Sequence, residues 1–319
     1  MAEELENMYL KREISMQAIP TETRIKAVLD PENSVEMVRL DNQNRLMTEA
    51  LGGILPEAMN LTNVSHILDV GCGAGGWTMD TAFALETSCV GVDSRSPLLK
   101  YARMQAQMTG INDLVTFQEM EIACPLAFPD ASFDLVNLRF LTELIETQCW
   151  PAVLHECLRV LKQDGYLVLT EAEWPTNSSP AAEQLARSTT EALWKAGFGF
   201  SRDGRDLGII HALPALLKRV GACAVQSDVH LLNFSSRQPH FHDMARHLWT
   251  TYALLQPFLT NMGYGSQQEV YELCDQFAHD VIDDTFEGGM IVLRTWGHKG
   301  GEPEPEEHCL PPIFPSLRK

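Results

Sequence analysis

Basic residues are scarce in this chain. Lys and Arg number 24 against 43 Asp and Glu, a formal charge of -19 over 319 residues, and no basic run interrupts the imbalance. Such a surface opposes polyanions, so neither nucleic acid nor an anionic membrane is an expected partner. CxxC pairs are missing too. The eight cysteines, at 72, 89, 124, 149, 157, 223, 274 and 309, follow no regular framework, and several sit in apolar periodic segments where a free thiol packs as a small hydrophobe. There is no HExxH, no Cys/His spacing and no carboxylate pair at metal-ligand spacing, so metal-dependent chemistry has no support. No apolar run reaches the length of a membrane span, and no charged-then-apolar leader opens the chain. The expected setting is the reducing cytoplasm.

What is present is organised around Ile67-Leu68-Asp69-Val70-Gly71-Cys72-Gly73-Ala74-Gly75-Gly76-Trp77. A short apolar run stops at a glycine cluster, and the apolar run from Trp77 to Leu85 then reads as a helix. Glycines at 71, 73 and 75 allow positive φ and close approach of a ligand, and the first N–H groups of a helix face that space. The turn suits a nucleotide-like ligand. Gly71-x-Gly73-x-x-Gly76 also satisfies the dinucleotide fingerprint formally, with Asp93 downstream as the ribose acid, so the glycines alone do not decide. Asp69 does: a carboxylate at the mouth of the first strand repels a pyrophosphate and suits an ammonium-bearing ligand without phosphate.

Strand and helix patterns alternate from 64 to 170. Cys89–Asp93 reads as a second strand; Ser96-Pro97 opens a helix, with serine as N-cap, that closes at Gly110. Leu114–Gln118 and Phe133–Leu138 are the third and fourth strands. Trp150, Val153, Leu154, Cys157, Leu158 and Leu161 mark an amphipathic helix, Asp164-Gly165 turns the chain, and Tyr166–Thr170 is a fifth strand. Such alternation predicts a parallel sheet covered on both faces, with ligands beyond the carboxyl ends of its strands. Asp69, Asp93, Glu121 and Asn137 occupy those ends.

These residues resemble the class I S-adenosylmethionine-dependent methyltransferases, specifically the Rossmann-like group acting on small molecules. The resemblance rests on Leu68–Gly75, on Gly91-Val92-Asp93-Ser94, on Phe128–Val136, and on Leu158-Arg159-Val160-Leu161-Lys162 with Asp164-Gly165. It covers about a third of the chain. It implies a seven-stranded, mostly parallel α/β sheet with an antiparallel last strand, helices on both faces and a helical cap. It also implies S-adenosylmethionine as cofactor: Asp69, Gly71, Cys72, Gly73 and Gly75 at its methionine end, Asp93 and Ser94 at the ribose, Glu121 and Ile122 at the adenine, Asn137 and Arg139 near the sulfonium and carboxylate. The family usually has aspartate where this chain has Glu121.

Outside the core, residues 1–62 form a helical prelude that either packs on the sheet edge or is a flap over the ligand, carrying Glu36, Arg39 and Gln43. Residues 63–175 are the cofactor-binding core; 176–299 supply the cap and the last two strands, Ala224–Leu232 and Met290–Trp296. Helices are expected over Ala181–Ala196 and Pro214–Val220. Two further stripes, Phe241 to Leu255 and Val270 to Ile282, are core or a cover for an apolar or aromatic substrate. Residues 300–319 read as a disordered acidic, Pro-rich tail.

Methyl transfer from a sulfonium needs alignment and exclusion of water, and a general base only where the acceptor must lose a proton. His211, His230, His240, His242 and His247 are candidates for that base, and none is singled out. The expected activity is methylation of a small molecule. A binding protein that retains the fold, or a dinucleotide-dependent oxidoreductase, are the alternatives. The acceptor, pathway and oligomeric state are not encoded legibly.

Overall fold

The computed structural model describes residues 34–300. The tail expected beyond them and the first 33 residues of the N-terminal segment lie outside the described residues. The element order is α1 (Ser34–Ala50), β1 (His66–Val70), α2 (Gly76–Leu85), β2 (Ser88–Asp93), α3 (Ser96–Thr109), β3 (Val115–Glu119), β4 (Phe133–Arg139), α4 (Trp150–Val160) and β5 (Leu161–Ala172). Then come β6 (Thr176–Asn177), α5 (Pro180–Lys195), α6 (Ile209–Arg219), β7 (Ala222–Asn233), α7 (Phe241–Asn261), α8 (Gln267–Asp280) and β8 (Gly288–Lys299). Among the described residues no helix is long and apolar enough to cross a membrane.

Strands β3, β2, β1, β4 and β5 pair in parallel in that order, and β8 inserts antiparallel between β5 and β7. This is the mostly parallel α/β sheet with an antiparallel last strand that the motifs implied. The two-residue β6 was not foreseen; it prolongs the line of β5 beside Gly288 and Gly289, which makes an eighth strand. Strand order reverses between β1 and β4, so their carboxyl ends open into one crevice, with Asp69 in register with Asn137.

Fully apolar strands are buried on both faces. Leu68, Val136 and Leu167 face one layer with Trp150 and Leu154 of α4; Ile67, Leu135 and Val168 face the other with Leu99 and Ala102 of α3. A third core lies in the cap, where Leu46 and Met47 of α1 pack with Met244, Leu248 and Tyr252 of α7 and Phe277 of α8. The stripes on α7 and α8 are therefore core for the most part, but Trp249 is 40% exposed and Ile282, past the end of α8, is 77% exposed.

Local differences from the expected elements have local causes. Arg95, not Ser96, is the N-cap of α3, because its backbone N–H and side chain are tied to Asp93, which pulls the helix start forward. The turn expected at Asp164-Gly165 is a bulge inside β5, with Asp164 at φ 60° and the β4 register jumping from Phe133–Leu161 to Leu135–Tyr166. His211 lies within α6, which begins five residues earlier than expected because Gly208, at φ 67°, supplies its start.

Gly75 illustrates how closely the loop is packed. It takes φ 79°, and a Cβ there would lie 2.7 Å from the Phe117 ring and 2.9 Å from Ala102 Cβ. Gly110, at φ 74°, has open space around it. Gly110→Ala is expected to cost only the left-handed backbone penalty, about 1–2 kcal/mol. Gly75→Ala adds overpacking to the same penalty, about 1–3 kcal/mol more. Urea unfolding of the two variants measures the difference.

Candidate functional site

The cavity sits over the β1–β4 crevice and encloses about 170 Å³. Its floor is built by β1, its loop and the end of β4; its roof is the first half of α1; its far wall comes from the segment after β5 and from α7.

Asp69 is 3% exposed, and its two oxygens accept from Thr78 Oγ1 at 2.6 Å and Asn137 Nδ2 at 2.8 Å. Burial pushes its carboxyl up to about 6, against those two hydrogen bonds and the attraction of Arg139. The loop beyond it is tied inward. Gly71 and Cys72 donate to Val92 O, Gly73 donates to Asp93 Oδ2, and Gly75 donates to Cys72 O. These four amides are engaged with protein acceptors, which leaves less of the outward-pointing donor set that a pyrophosphate cradle requires.

Arg139 Nη1 donates to Asn44 Oδ1 at 3.1 Å, whereas Nη2 is buried with no hydrogen-bond partner among the described residues. Burial lowers this guanidinium to about 10. Immediately after it Phe140, at φ 55°, occupies the sparsely populated left-handed region for a bulky residue and turns the chain along the cavity wall.

The roof inverts the usual helical pattern. Glu36 is fully buried and accepts a fork from Arg39 (Nε 2.6 Å, Nη2 2.8 Å), whose Nη1 reaches Gln43 at 3.2 Å, while Val35 and Val38 are 51% and 58% exposed. The first half of α1 thus lines the cavity, and its second half packs in the cap. Glu143, on the loop after β4, faces the Arg39–Glu36 pair; burial pushes it up to about 7, opposed by Arg39 and aided by Glu36. Of the five candidate histidines only His247 lines the cavity. Its Nδ1 is buried without a hydrogen-bond partner among the described residues, and burial, with a smaller push from Arg39, lowers its basicity to about 3.

The remaining wall is mainly apolar, with Phe140, Leu207, Trp174, Met244, Leu248 and Met290, and carries Glu173 and Thr251 among them. Trp174 Nε1 donates to Tyr252 OH at 3.2 Å, which locks this wall to the cap core.

Thus Asp69, Gly71, Cys72, Gly73, Arg139, Arg39 and Gln43 meet on one cavity, with Asn137 immediately behind Asp69. Gly75 lies under the loop against Phe117. Asp93 is screened from the cavity by Arg95; Ser94 and Glu121 are exposed, and Ile122 packs on the core, so none of these four lines the wall. Sequence reasoning missed Arg95, Glu143 and Glu171. Glu171 carried a usable signal, an acid ending an apolar strand in the manner of Asp69 and Asp93.

The sequence profile described as "Methyltransferase domain" matches residues 67–165, from β1 to the bulge in β5. Residues 67–165 are thus similar to methyltransferase domains. The chain is 32% identical over 119 residues, 37% of its length and 49% of the relative's, to a demethylmenaquinone methyltransferase of Lactiplantibacillus plantarum. It is 30% identical over 135 residues, 42% of its length and 47% of the relative's, to the 27-O-demethylrifamycin SV methyltransferase of Amycolatopsis mediterranei. The chain spans about half the length of these curated relatives. Among solved structures, the YcgJ protein of Bacillus subtilis aligns with 81% of this chain and 98% of its own at 18% identity, with a TM-score of 0.49. The match ends within β5, so the cap, α7 and β8 lie outside the matched span.

Glu171 follows the matched span and braces the cavity loop. It is 2% exposed and accepts from Leu141 N at 2.7 Å and Thr142 Oγ1 at 2.8 Å. Burial raises its carboxyl to about 7. A carboxyl raised in the folded state binds more protons there than in the unfolded chain, so its contribution falls as pH rises from about 4.5 to 7 and is flat outside that window. Glu171→Gln removes this dependence. Relative to wild type, the variant's unfolding free energy is expected to improve on the order of 3 kcal/mol between pH 4 and pH 9, measured by urea titration at each pH.

Proposed function

We propose that this chain transfers a methyl group from S-adenosylmethionine to a small, mainly apolar or aromatic molecule. The observation that carries the reading is the composition of one cavity: a buried acid and a guanidinium with one buried nitrogen unpartnered among the described residues at the strand ends, beside a loop with four engaged amides, facing a mainly apolar wall. An amino-acid ligand matches the first two groups. Asp69 would take its ammonium end and Arg139 Nη2, which lacks a partner, would take its carboxylate. Asp93 would accept from the ribose, with Ser94 beside it, and Glu121 and Ile122 would border the adenine.

The cofactor, when bound, supplies an activated methyl group. The protein then has three tasks. The loop from Gly71 to Gly75 and the roof of α1 hold the donor and exclude water; Trp174, Met244 and Leu248 orient the acceptor; an acid or imidazole handles any proton the acceptor sheds. Glu143 and His247 both face that space. Glu143, near 7, matches the working pH of a base, whereas His247 is too weakly basic and serves better as a neutral hydrogen-bonding group.

Calorimetric titration with S-adenosylmethionine, with reduced nicotinamide dinucleotide as control, tests the cofactor. Saturable binding of the first alone is expected; binding of the second alone would replace this reading with an oxidoreductase. For a hydroxyl acceptor, Glu143→Gln is expected to lower kcat by about 10²–10⁴-fold while leaving the cofactor Kd in place. Because the base acts when ionised, the wild-type rate should climb with pH through about 7, and the variant's should not.

A further inference from the structure

Asp93 ends β2 with a carboxylate whose acceptor capacity is filled. Oδ1 takes the backbone N–H of Arg95 and its Nε, each at 2.9 Å; Oδ2 takes the Gly73 N–H and Arg95 Nη2, again each at 2.9 Å. A carboxylate offers about four lone-pair sites, and four donors occupy them. Two of the donors are backbone amides fixed by the loop and the helix start. The other two belong to one side chain. That side chain is 19% exposed and stands on the cavity wall, whereas Asp93, with a side chain 4% exposed, does not reach it.

We propose that Arg95 is a latch on the ribose subsite. The inference rests on the S-adenosylmethionine reading above. A ribose presents two hydroxyl donors on adjacent carbons, and Asp93 can accept both only after Nε and Nη2 have let go. The exchange is two donors for two, so Asp93 stays satisfied before and after. The guanidinium is not stranded when it leaves: Glu36, buried in the roof, lies within its electrostatic reach. The fork and the diol therefore compete for the same oxygens, and affinity for the cofactor is held below what the rest of the cavity would give. Arg95 acts through Asp93 and is a positioning residue. If it served only to staple the β2–α3 turn, its removal would cost stability and leave affinity unmoved.

The test is calorimetry with S-adenosylhomocysteine, which binds without reacting. Arg95→Ala is expected to bind it about tenfold tighter than wild type, the scale of one charge-assisted hydrogen bond no longer displaced. In an Asp93→Asn background the same substitution should bring no gain, because the oxygens being contested have changed. Equal or weaker binding by a folded Arg95→Ala protein overturns the latch, and if the wild type binds, the cofactor reading survives that result. Failure of both proteins to bind removes the cofactor reading and the latch with it. Should Arg95→Ala not fold, Arg95→Lys keeps the charge and gives up the fork; it is expected to bind several-fold tighter, and unchanged affinity there overturns the proposal equally.

Discussion

The pair of hydrogen bonds into Asp69 holds the molecule's working parts together. Thr78 reaches it from α2 and Asn137 from β4, so a single buried carboxylate joins the first strand, the helix after the glycine loop and the strand across the topological switch. Three elements converge on it. Their convergence fixes where the loop can run, and the loop's own amides then fasten it to the end of β2. Burying an acid in this way is costly, as its raised basicity shows. The partners offset part of that cost, and what remains is a negative group held ready at the floor of a largely apolar chamber.

The chamber divides by chemistry as well as by sequence. Its floor comes mostly from the span that the methyltransferase profile matches, while Met244, Leu248 and His247 come from α7, beyond the matched residues. One fold can serve different molecules when only part of a site changes. In this chain the far wall is anchored through Trp174 to Tyr252 and hence to the cap core, so the shape of that wall and the cap packing are set by the same side chains.

Much of this was legible in the sequence. Strand positions, the glycine loop and the long helices follow from periods and punctuation that depend on near neighbours, and these agree with the structure to within a few residues. What escaped depends on partners far along the chain. Glu36 and Arg39 read as flap residues, with packing on the sheet edge as the alternative, and the pattern of α1 alone does not decide between the two; they are buried because they line the cavity. Arg95 was overlooked although only one residue separates it from Asp93, because pairing between them depends on the backbone at the helix start. Among the histidines, sequence offered five equal choices, and only the placement of α7 separates His247 from the rest.

The two halves of α1 have a mechanical consequence. Glu36 and Arg39 cover the chamber, and two turns further along the same rigid rod Leu46 and Met47 are embedded beside Met244 and Tyr252. A rod of this kind has no joint between its covering end and its anchored end. Lifting the cover either carries α7 along, which shifts the apolar wall at the same moment, or extracts two fully buried side chains from the cap. Opening of the roof and the shape of the far wall are thereby coupled in this architecture through a single lever.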